Sequence, residues 1–407
     1  MEPRYLAAAL AEFCFEPHKI ALVSGPRQCG KTTLARLFLE ERGAGVYHNW
    51  DDVELRRQWV KKPAALWPAP SKRPPLMVLD EIHKASGWKR TLKGLFDTRP
   101  FPVDILVAGS ARLNVYKKGG DSLLGRALHF RLHPFSHGEL ERSGLPNAPG
   151  DRLSALLGRT LDTNRAASER FQALLRFGGF PEPFLGASDR KARVWRHSRV
   201  EKVIREDLRD LSRLPELSRV EMLASLLPER VGSPLSRNSL REDLEVGFDT
   251  VSRWLAALVE LYYAFEIRPF TKRVARSLKK EGKLYLWDWS EVDSPGPRFE
   301  NLVACHLLKA CDFWTDTGEG TFELCLLRNR EKEEIDFLVV RDGKPWLPVE
   351  AKVADTTPVP HWRKFLRYLH TSAALQICAV PGVWQQHRID ETVLLVASAD
   401  EVLRYLV

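Results

Sequence analysis

Two groups of residues in this chain have the types and spacing to do chemistry. The first is Gly25-Pro26-Arg27-Gln28-Cys29-Gly30-Lys31-Thr32, followed by Thr33, which matches G-x-x-x-x-G-K-[ST] in full. Glycines let such a loop wrap closely around phosphates, with backbone N–H groups pointing inward. A helix N-terminus adds positive potential. Lys31 would reach the β- and γ-phosphates, and Thr32 would ligate Mg²⁺. The apolar run Leu76-Met77-Val78-Leu79 then ends in Asp80-Glu81. Asp80 is placed to hold Mg²⁺ through water. Glu81 is placed to polarise an attacking water, so the site suits a hydrolase rather than a kinase. The expected ligands are ATP and Mg²⁺. Cys29 stands where a small apolar residue would also serve and reads as packing.

The second group is Glu300, Asp336, Glu350 and Lys352. Glu350-Ala351-Lys352 lies in a strand-like run, where a period of two puts Glu350 and Lys352 on one face. Asp336 begins the preceding strand, and Arg341-Asp342-Gly343-Lys344 joins the two as a hairpin. A loop centred on Gly343 sets Asp336 opposite Glu350. A two-residue Asp342-Gly343 turn sets it opposite Val349 and splits the carboxylates. The expectation is an odd-length loop or a bulge with Asp342-Gly343-Lys344 as its core. On that register Asp336 and Glu350 could bind Mg²⁺, or Mn²⁺, and Glu300 could complete the metal shell. Lys352 would position the bound water, as phosphodiester hydrolysis requires.

These side chains need elements to position them. Strands are expected at Ile20–Val23, Leu76–Leu79 and Ile105–Ala108, with a helix from Lys31 to Arg42, an alternation that argues a parallel α/β sheet. The Gly144–Gly150 stretch is a candidate boundary, and a helical pattern follows from Leu153 to about Leu227. Ser236 to Tyr263 reads as a helix-turn-helix, with Asp249 or Thr250 as N-cap of its second helix and Leu240, Leu244, Val251, Leu255 and Leu258 as shared core. Thr250, Ser252 and Arg253 fall where groove-facing residues belong. Residues 266–283 hold seven Lys/Arg against two Glu, a local charge of +5 that includes Lys272, Arg273, Arg276 and Lys283. That stretch suits a wing over DNA phosphates. Such units also serve as packing or oligomerisation elements. The expected parts are 1–143, an ATPase core; 151–227, a helical lid; 235–283, a winged-helix-like module; and 284–407, a mixed α/β domain that carries the second group.

The phosphate loop, Asp80-Glu81-Ile82-His83-Lys84 and Val107-Ala108-Gly109-Ser110-Ala111-Arg112 resemble bacterial and archaeal AAA+-type ATPases of the ASCE P-loop class. So do Gly125-Arg126 with Phe130–Ser136 and Glu139, and Gly178-Gly179-Phe180-Pro181-Glu182. The resemblance covers most of the chain. It implies that Ser110 senses the γ-phosphate. It suggests Arg126 as an arginine finger acting in trans, with Arg112 and Arg131 as rivals, hence a homo-oligomer such as a hexamer. It also implies a C-terminal domain similar to restriction-type nucleases, and Glu…Asp…Glu-x-Lys looks like the PD-(D/E)XK superfamily. Here Ile335 replaces the proline usual before the first aspartate.

Composition narrows the field. The 407 residues carry a net charge of +9, with 44% hydrophobic and 28% charged residues, which excludes a largely disordered chain and permits a polyanionic partner. No apolar run reaches the ~20 residues that span a bilayer, so no membrane association is expected. Six cysteines without a CxxC pair, and no signal-type leader, point to the cytoplasm, with secretion as the lesser alternative. His83 follows the Asp80-Glu81 pair, where it could sense the nucleotide, although a surface role is the leading reading. His129, His133 and His137 recur every four residues, but Pro134 interrupts any helix that would make them a metal stripe. The leading reading is a DNA-binding AAA+-type ATPase with a DNA-cleaving C-terminal domain. The competitors are an ATPase switch whose C-terminal domain docks DNA or protein partners without cleaving, and a chaperone-like ATPase acting on proteins.

Overall fold

A computed structural model describes residues 4–110, 123–141, 148–161, 164–208, 217–271, 281–329, 331 and 333–407, excepting the side chains of 206 and 207. The chain forms two compact units, Met1–Pro134 and Phe135–Val407. The first therefore closes at Pro134, before the expected limit at 143.

In the first unit, β1 (Ile20–Ser24), β3 (Leu76–Asp80) and β4 (Asp104–Gly109) are buried at every position. Their unbroken apolar runs suit strands covered on both faces. β2 (Gly45–Asn49) and β5 (Ala127–Arg131) flank them in an all-parallel sheet of order β2-β3-β4-β1-β5. Helix α1 (Lys31–Arg42) follows β1, α2 (Val53–Lys61) follows β2 and α3 (Trp88–Asp97) follows β3. Trp59, Trp88, Leu92 and Leu95 pack with Leu22, Met77, Leu79, Ile105 and Val107 in one core. Because β4 lies between β1 and β3, its C-terminal end emerges between the loop after β1 and the carboxylates after β3.

The second unit begins with helices α4 (His137–Glu141), α5 (Pro149–Leu157), α6 (Arg165–Phe177), α7 (Pro181–Gly186), α8 (Asp189–Lys202) and α9 (Leu217–Leu226). Next come α10 (Arg237–Asp243) and α11 (Phe248–Glu260), the expected helix-turn-helix. All five of its expected core residues, Leu240, Leu244, Val251, Leu255 and Leu258, are buried. The cap differs. Gly247 precedes α11, after a turn in which Glu245 takes a φ of 52°, so Asp249 and Thr250 lie inside the helix.

Further along come β6 (Ala264–Pro269), β7 (Lys283–Leu286), α12 (Pro295–Asp316), β8 (Phe322–Arg328), β9 (Glu334–Arg341), β10 (Lys344–Lys352), α13 (Trp362–Leu369), β11 (Ala373–Cys378), β12 (Trp384–Ile389) and β13 (Thr392–Ser398), with a short helix at Ala399–Val402. They build one sheet of order β12-β13-β11-β10-β9-β8-β6-β7. β8, β9 and β10 are antiparallel neighbours, and β10 runs parallel to β11. Trp362, Phe365 and Leu366 of α13 pack on Leu338, Val340, Ala374, Leu394 and Val396. The expected wing strands are part of this sheet, since β6 pairs with β7 and also with β8. The expected boundary between 283 and 284 falls inside β7. Among the described residues no helix is long and apolar enough to cross a membrane.

Candidate nucleotide site and C-terminal charge cluster

The loop between β1 and α1 has the backbone a phosphate cradle requires. A Cβ on Gly25 would meet the Leu132 carbonyl oxygen at 2.2 Å, so no larger residue fits there. Gly30 caps α1 at a φ of 101°, and Gln28 adopts 64°. Pro26 is buried, while Arg27 and Thr33 are partly exposed. Cys29 is fully buried with its Sγ 3.4 Å from the Leu132 carbonyl, in keeping with a packing role. The Lys31 ammonium turns back onto the Gly25 and Pro26 carbonyls at 2.9 and 2.7 Å. Thr32 Oγ1 donates to Asp80 Oδ2 at 2.7 Å, and Tyr47 on β2 donates to the same oxygen at 2.6 Å. Burial and that bond raise the Tyr47 pKa.

A polar chain runs across the neighbouring strand ends. Glu81, held at a φ of 57°, approaches His83 Nε2 at 3.5 Å, and the same nitrogen lies 3.4 Å from Ser110 Oγ just after β4. His83 is 7% exposed. The expectation of a surface histidine is corrected: the turn after β3 folds the ring inward between the two site residues.

Arg126 is not brought to the loop. It precedes Ala127, which pairs with Ile20 at the start of β1, whereas the loop leaves the far end of that strand. The separation is roughly 15 Å along a five-residue strand. Arg126 instead grips Asp97 with two bonds of 2.7 and 3.1 Å. Its rival Arg131 pairs with Ser24 at the loop end of β1, and Arg112 lies outside the described residues. The three spaced histidines go separate ways. His129 meets Ser24 Oγ at 2.8 Å, His133 is buried after β5, and His137 meets the Asp400 carbonyl at 2.9 Å.

On α11, Arg253 is exposed and Thr250 is half-buried. Ser252 is half-buried as well. It sits at the edge of the buried stripe, and its hydroxyl is enclosed. Lys272, Arg273 and Arg276 lie outside the described residues.

The C-terminal carboxylates do converge. The hairpin between β9 and β10 turns on two residues, Asp342 and Gly343, both left-handed at φ of 50° and 74°. Arg341 pairs with Lys344, but Val339 pairs with Leu347, because one extra residue bulges between Pro345 and Leu347. The expected bulge therefore exists, but it lies beyond the turn rather than in it. It restores the register, with Phe337 opposite Val349 and Asp336 next to Glu350. Asp336 N–H donates to Glu350 Oε2, and Ala351 N–H donates to Asp336 Oδ2, both at 3.0 Å. Lys352 Nζ lies 2.5 Å from Glu350 Oε1 and 4.0 Å from Asp336 Oδ2. His361 Nε2 is 3.6 Å from Glu350 Oε1.

One residue enters this cluster against expectation. Lys283, read from composition as part of an exposed wing, is 4% exposed. Its Nζ lies 2.9 Å from Glu300 Oε1 and 3.3 Å from Asp336 Oδ1, and pairs closely with Glu334. The cause is strand pairing: Lys283 is locked opposite Ile267 and bridged to Pro234, which draws it into the sheet. Tyr285, two residues on, donates to Glu300 Oε1 at 2.6 Å. The alternation Lys283-Leu284-Tyr285-Leu286 carried the signal, since a period of two puts Lys283 and Tyr285 on one face.

Burial disfavours charge on Lys283, but Glu300, Asp336 and Glu334 hold its pKa above the ordinary lysine value. Burial, followed by Glu300 and Glu350, pushes the Asp336 pKa up to about 7 against the pull of Lys283 and Lys352. Glu350 is also buried, yet His361 and Lys352 keep its pKa below the usual value. As arranged, the cluster does not fit a divalent ion: an ammonium stands between Glu300 and Asp336. Among the described residues no three His, Cys, Asp or Glu side chains are grouped to hold a metal.

Comparisons with known proteins match two stretches of the chain. Residues 17–141 match a family model described as an AAA domain. Residues 168–290 match one described as a domain of unknown function. An uncharacterized protein of Mycobacterium tuberculosis and one of Mycobacterium bovis are each 25% identical over 284 residues, 69% of this chain and 57% of their own length. The chain thus spans little more than half the length of these curated relatives. Among solved structures, the Walker-type ATPase of Pyrococcus abyssi aligns over 72% of this chain and 97% of its own, at 16% identity and a TM-score of 0.43. The Orc1 protein of Aeropyrum pernix in complex with DNA aligns over 74% and 90%, at 14% identity and a TM-score of 0.33. AMPPCP-bound DnaA from Aquifex aeolicus aligns over 63% and 87%, at 14% identity and a TM-score of 0.29. The N-terminal part is an AAA-type P-loop ATPase domain.

Proposed function

We propose that the chain is an ATP hydrolase of the AAA+ type that works on DNA in the cytoplasm. The observation that carries the ATPase reading is the contact of Thr32 with Asp80, flanked by the Glu81–His83–Ser110 chain at adjoining strand ends. The residues fit a magnesium-bound nucleotide. The backbone loop of Gly25–Gly30 would take the phosphates, Lys31 would exchange loop carbonyls for phosphate oxygens, and Thr32 and Asp80 offer the hard oxygens that Mg²⁺ prefers. When bound, Mg²⁺ would neutralise charge that develops on the phosphates. Glu81 would accept the proton of the attacking water, and Ser110 would face the terminal phosphate. Lys31→Ala should abolish nucleotide binding, whereas Glu81→Gln should keep binding and lose turnover. Undiminished hydrolysis by Glu81→Gln would overturn the assignment.

DNA contact is supported by the helix-turn-helix, exposed Arg253 and the basic excess, with Thr250, Lys272, Arg273 and Arg276 as further proposed contacts. A homo-oligomer, with a hexamer as one form, would let Arg126 reach a neighbour's nucleotide. For 284–407 two readings stand. A metal-dependent nuclease of PD-(D/E)XK type is supported by the meeting of Glu300, Asp336, Glu350 and Lys352 around neighbouring strands. A non-catalytic domain docking DNA or protein is favoured by Lys283, which fills the place a metal would need. Cleavage assays with Mg²⁺ or Mn²⁺ separate them. Activity lost in both Asp336→Ala and Lys352→Ala supports the nuclease, and no activity under any metal or nucleotide supports docking.

A further inference from the structure

The C-terminal cluster is built as though its cation were already present. Lys283 Nζ lies 2.9 Å from Glu300 Oε1 and 3.3 Å from Asp336 Oδ1, and it also pairs with Glu334. A divalent ion shared by Glu300 and Asp336 would need their oxygens at about 2.0–2.6 Å from its own centre. That position coincides with the ammonium, and the two cannot share it. The outlets are also closed. Asp336 Oδ2 and Glu350 Oε2 accept backbone N–H groups, and Glu350 Oε1 is paired with Lys352. Strand pairing through Ile267 and Pro234 fixes the lysine backbone, and the residue is 4% exposed.

We infer that Lys283 is the resident cation of this centre, holding Glu300, Glu334 and Asp336 together and closing the wild-type cluster to divalent ions. The inference deepens the docking reading of this domain and rests on it. Removing the lysine charge leaves carboxylates from α12 and β9 facing one another, the donor set a hard cation takes. Lys283→Met is therefore a route to a metal site.

The test is Mn²⁺ binding to the full chain without nucleotide, followed by calorimetry and by the thermal shift Mn²⁺ produces. Wild type should show no Mn²⁺ site that Asp336→Asn removes. Lys283→Met should bind Mn²⁺ at least tenfold more tightly than wild type, and Lys283→Met combined with Asp336→Asn should lose that gain. Lys283→Gln, which keeps a hydrogen-bonding group without charge, is measured alongside in case the methionine variant fails to fold. An Asp336-dependent Mn²⁺ site in wild type, or no gain in either folded Lys283 variant, overturns the inference. Cleavage is assayed on the same samples. Asp336-dependent Mn²⁺ binding by wild type without cleavage overturns only the role of Lys283, whereas such binding with cleavage overturns the docking reading as well.

Discussion

Asp336 and Glu350 are fastened through each other's strands: the Asp336 N–H binds the Glu350 carboxylate, and the Asp336 carboxylate binds the N–H that follows Glu350, each at 3.0 Å. Asp336 is also one of the carboxylates around Lys283. Asp336→Ala should therefore leave the Ala351 N–H without its acceptor and a buried lysine short of counter-charge. Breaking a buried ion pair from one side costs about 3 kcal/mol. Urea unfolding of the second unit should show that loss. A double-mutant cycle with Glu350→Ala should give a coupling of about 1 kcal/mol or more, since the two side chains share partners.

His83 touches both sides of the proposed hydrolysis machinery, at 3.5 Å from Glu81 and 3.4 Å from Ser110. Neither contact reaches the phosphate loop itself, and the expected role of the ring is to orient Glu81 and Ser110 rather than to bind nucleotide. His83→Ala should keep nucleotide affinity within about threefold and lower turnover about tenfold, the effect of roughly 1.4 kcal/mol on the barrier. A fall in affinity with unchanged turnover would assign His83 to binding instead.

Tyr47 shares Asp80 Oδ2 with Thr32. Tyr47→Phe removes a hydrogen bond to a charged group at a partly exposed site, a loss of about 1 kcal/mol in the first unit. Thermal unfolding with and without nucleotide checks this. The decrement should shrink when a bound metal draws on the same carboxylate.

The degree to which such residues could be read from sequence follows their environment. β1, β3 and β4 are buried at all positions, so burial writes an unbroken apolar run. β2 and β5 are sheet edges with half-exposed residues, leaving no such run, and Tyr47 on β2 was hidden with its strand. The helix-turn-helix core was legible because Leu240, Leu244, Val251, Leu255 and Leu258 keep helical spacing. The hairpin bulge was legible only as a requirement. Its place depends on Trp346 packing against Trp314 and Phe322, at ring distances of 5.6 and 5.7 Å, which no local pattern records. Lys283 was misread for a related reason. Charge counts describe neighbours in sequence, whereas its partners Glu300, Glu334 and Asp336 come from α12 and β9.

Arg126 in its own chain is clasped by Asp97 at the edge of the sheet away from the loop. If it serves a neighbour, the nucleotide site and the finger belong to different chains and can be supplied separately. Lys31→Ala and Arg126→Ala should each be inactive alone. A mixture of the two should regain part of the wild-type turnover, because mixed assemblies contain sites with an intact loop and an intact arginine. Full activity of Arg126→Ala alone would shift the role to Arg131 or Arg112.

Two buried histidines give the second unit a defined response to acid. His306 is enclosed in α12, with Nδ1 2.8 Å from the Leu302 carbonyl and Nε2 accepting the His137 N–H at 3.0 Å. Those contacts fix a neutral ring whose Nε2 cannot be protonated without losing its donor. Burial lowers the His306 pKa to about 3, and Lys309 and His137 add to the effect. His137, beside the Asp400 carbonyl, is lowered by burial to about 4, although Glu141 and Asp400 pull upward. Both folded values lie below that of an unfolded histidine, about 6.5. Below that pH the unfolded chain takes up protons the folded chain refuses, so stability is complete above it and is lost as pH falls toward the folded values. Each histidine should cost about 2 kcal/mol between pH 7 and pH 5. Chemical unfolding at the two pH values should show this drop in wild type. The drop should be smaller by about that amount in His137→Gln or His306→Gln, and an unchanged pH response in both variants would place the acid sensitivity elsewhere in the unit.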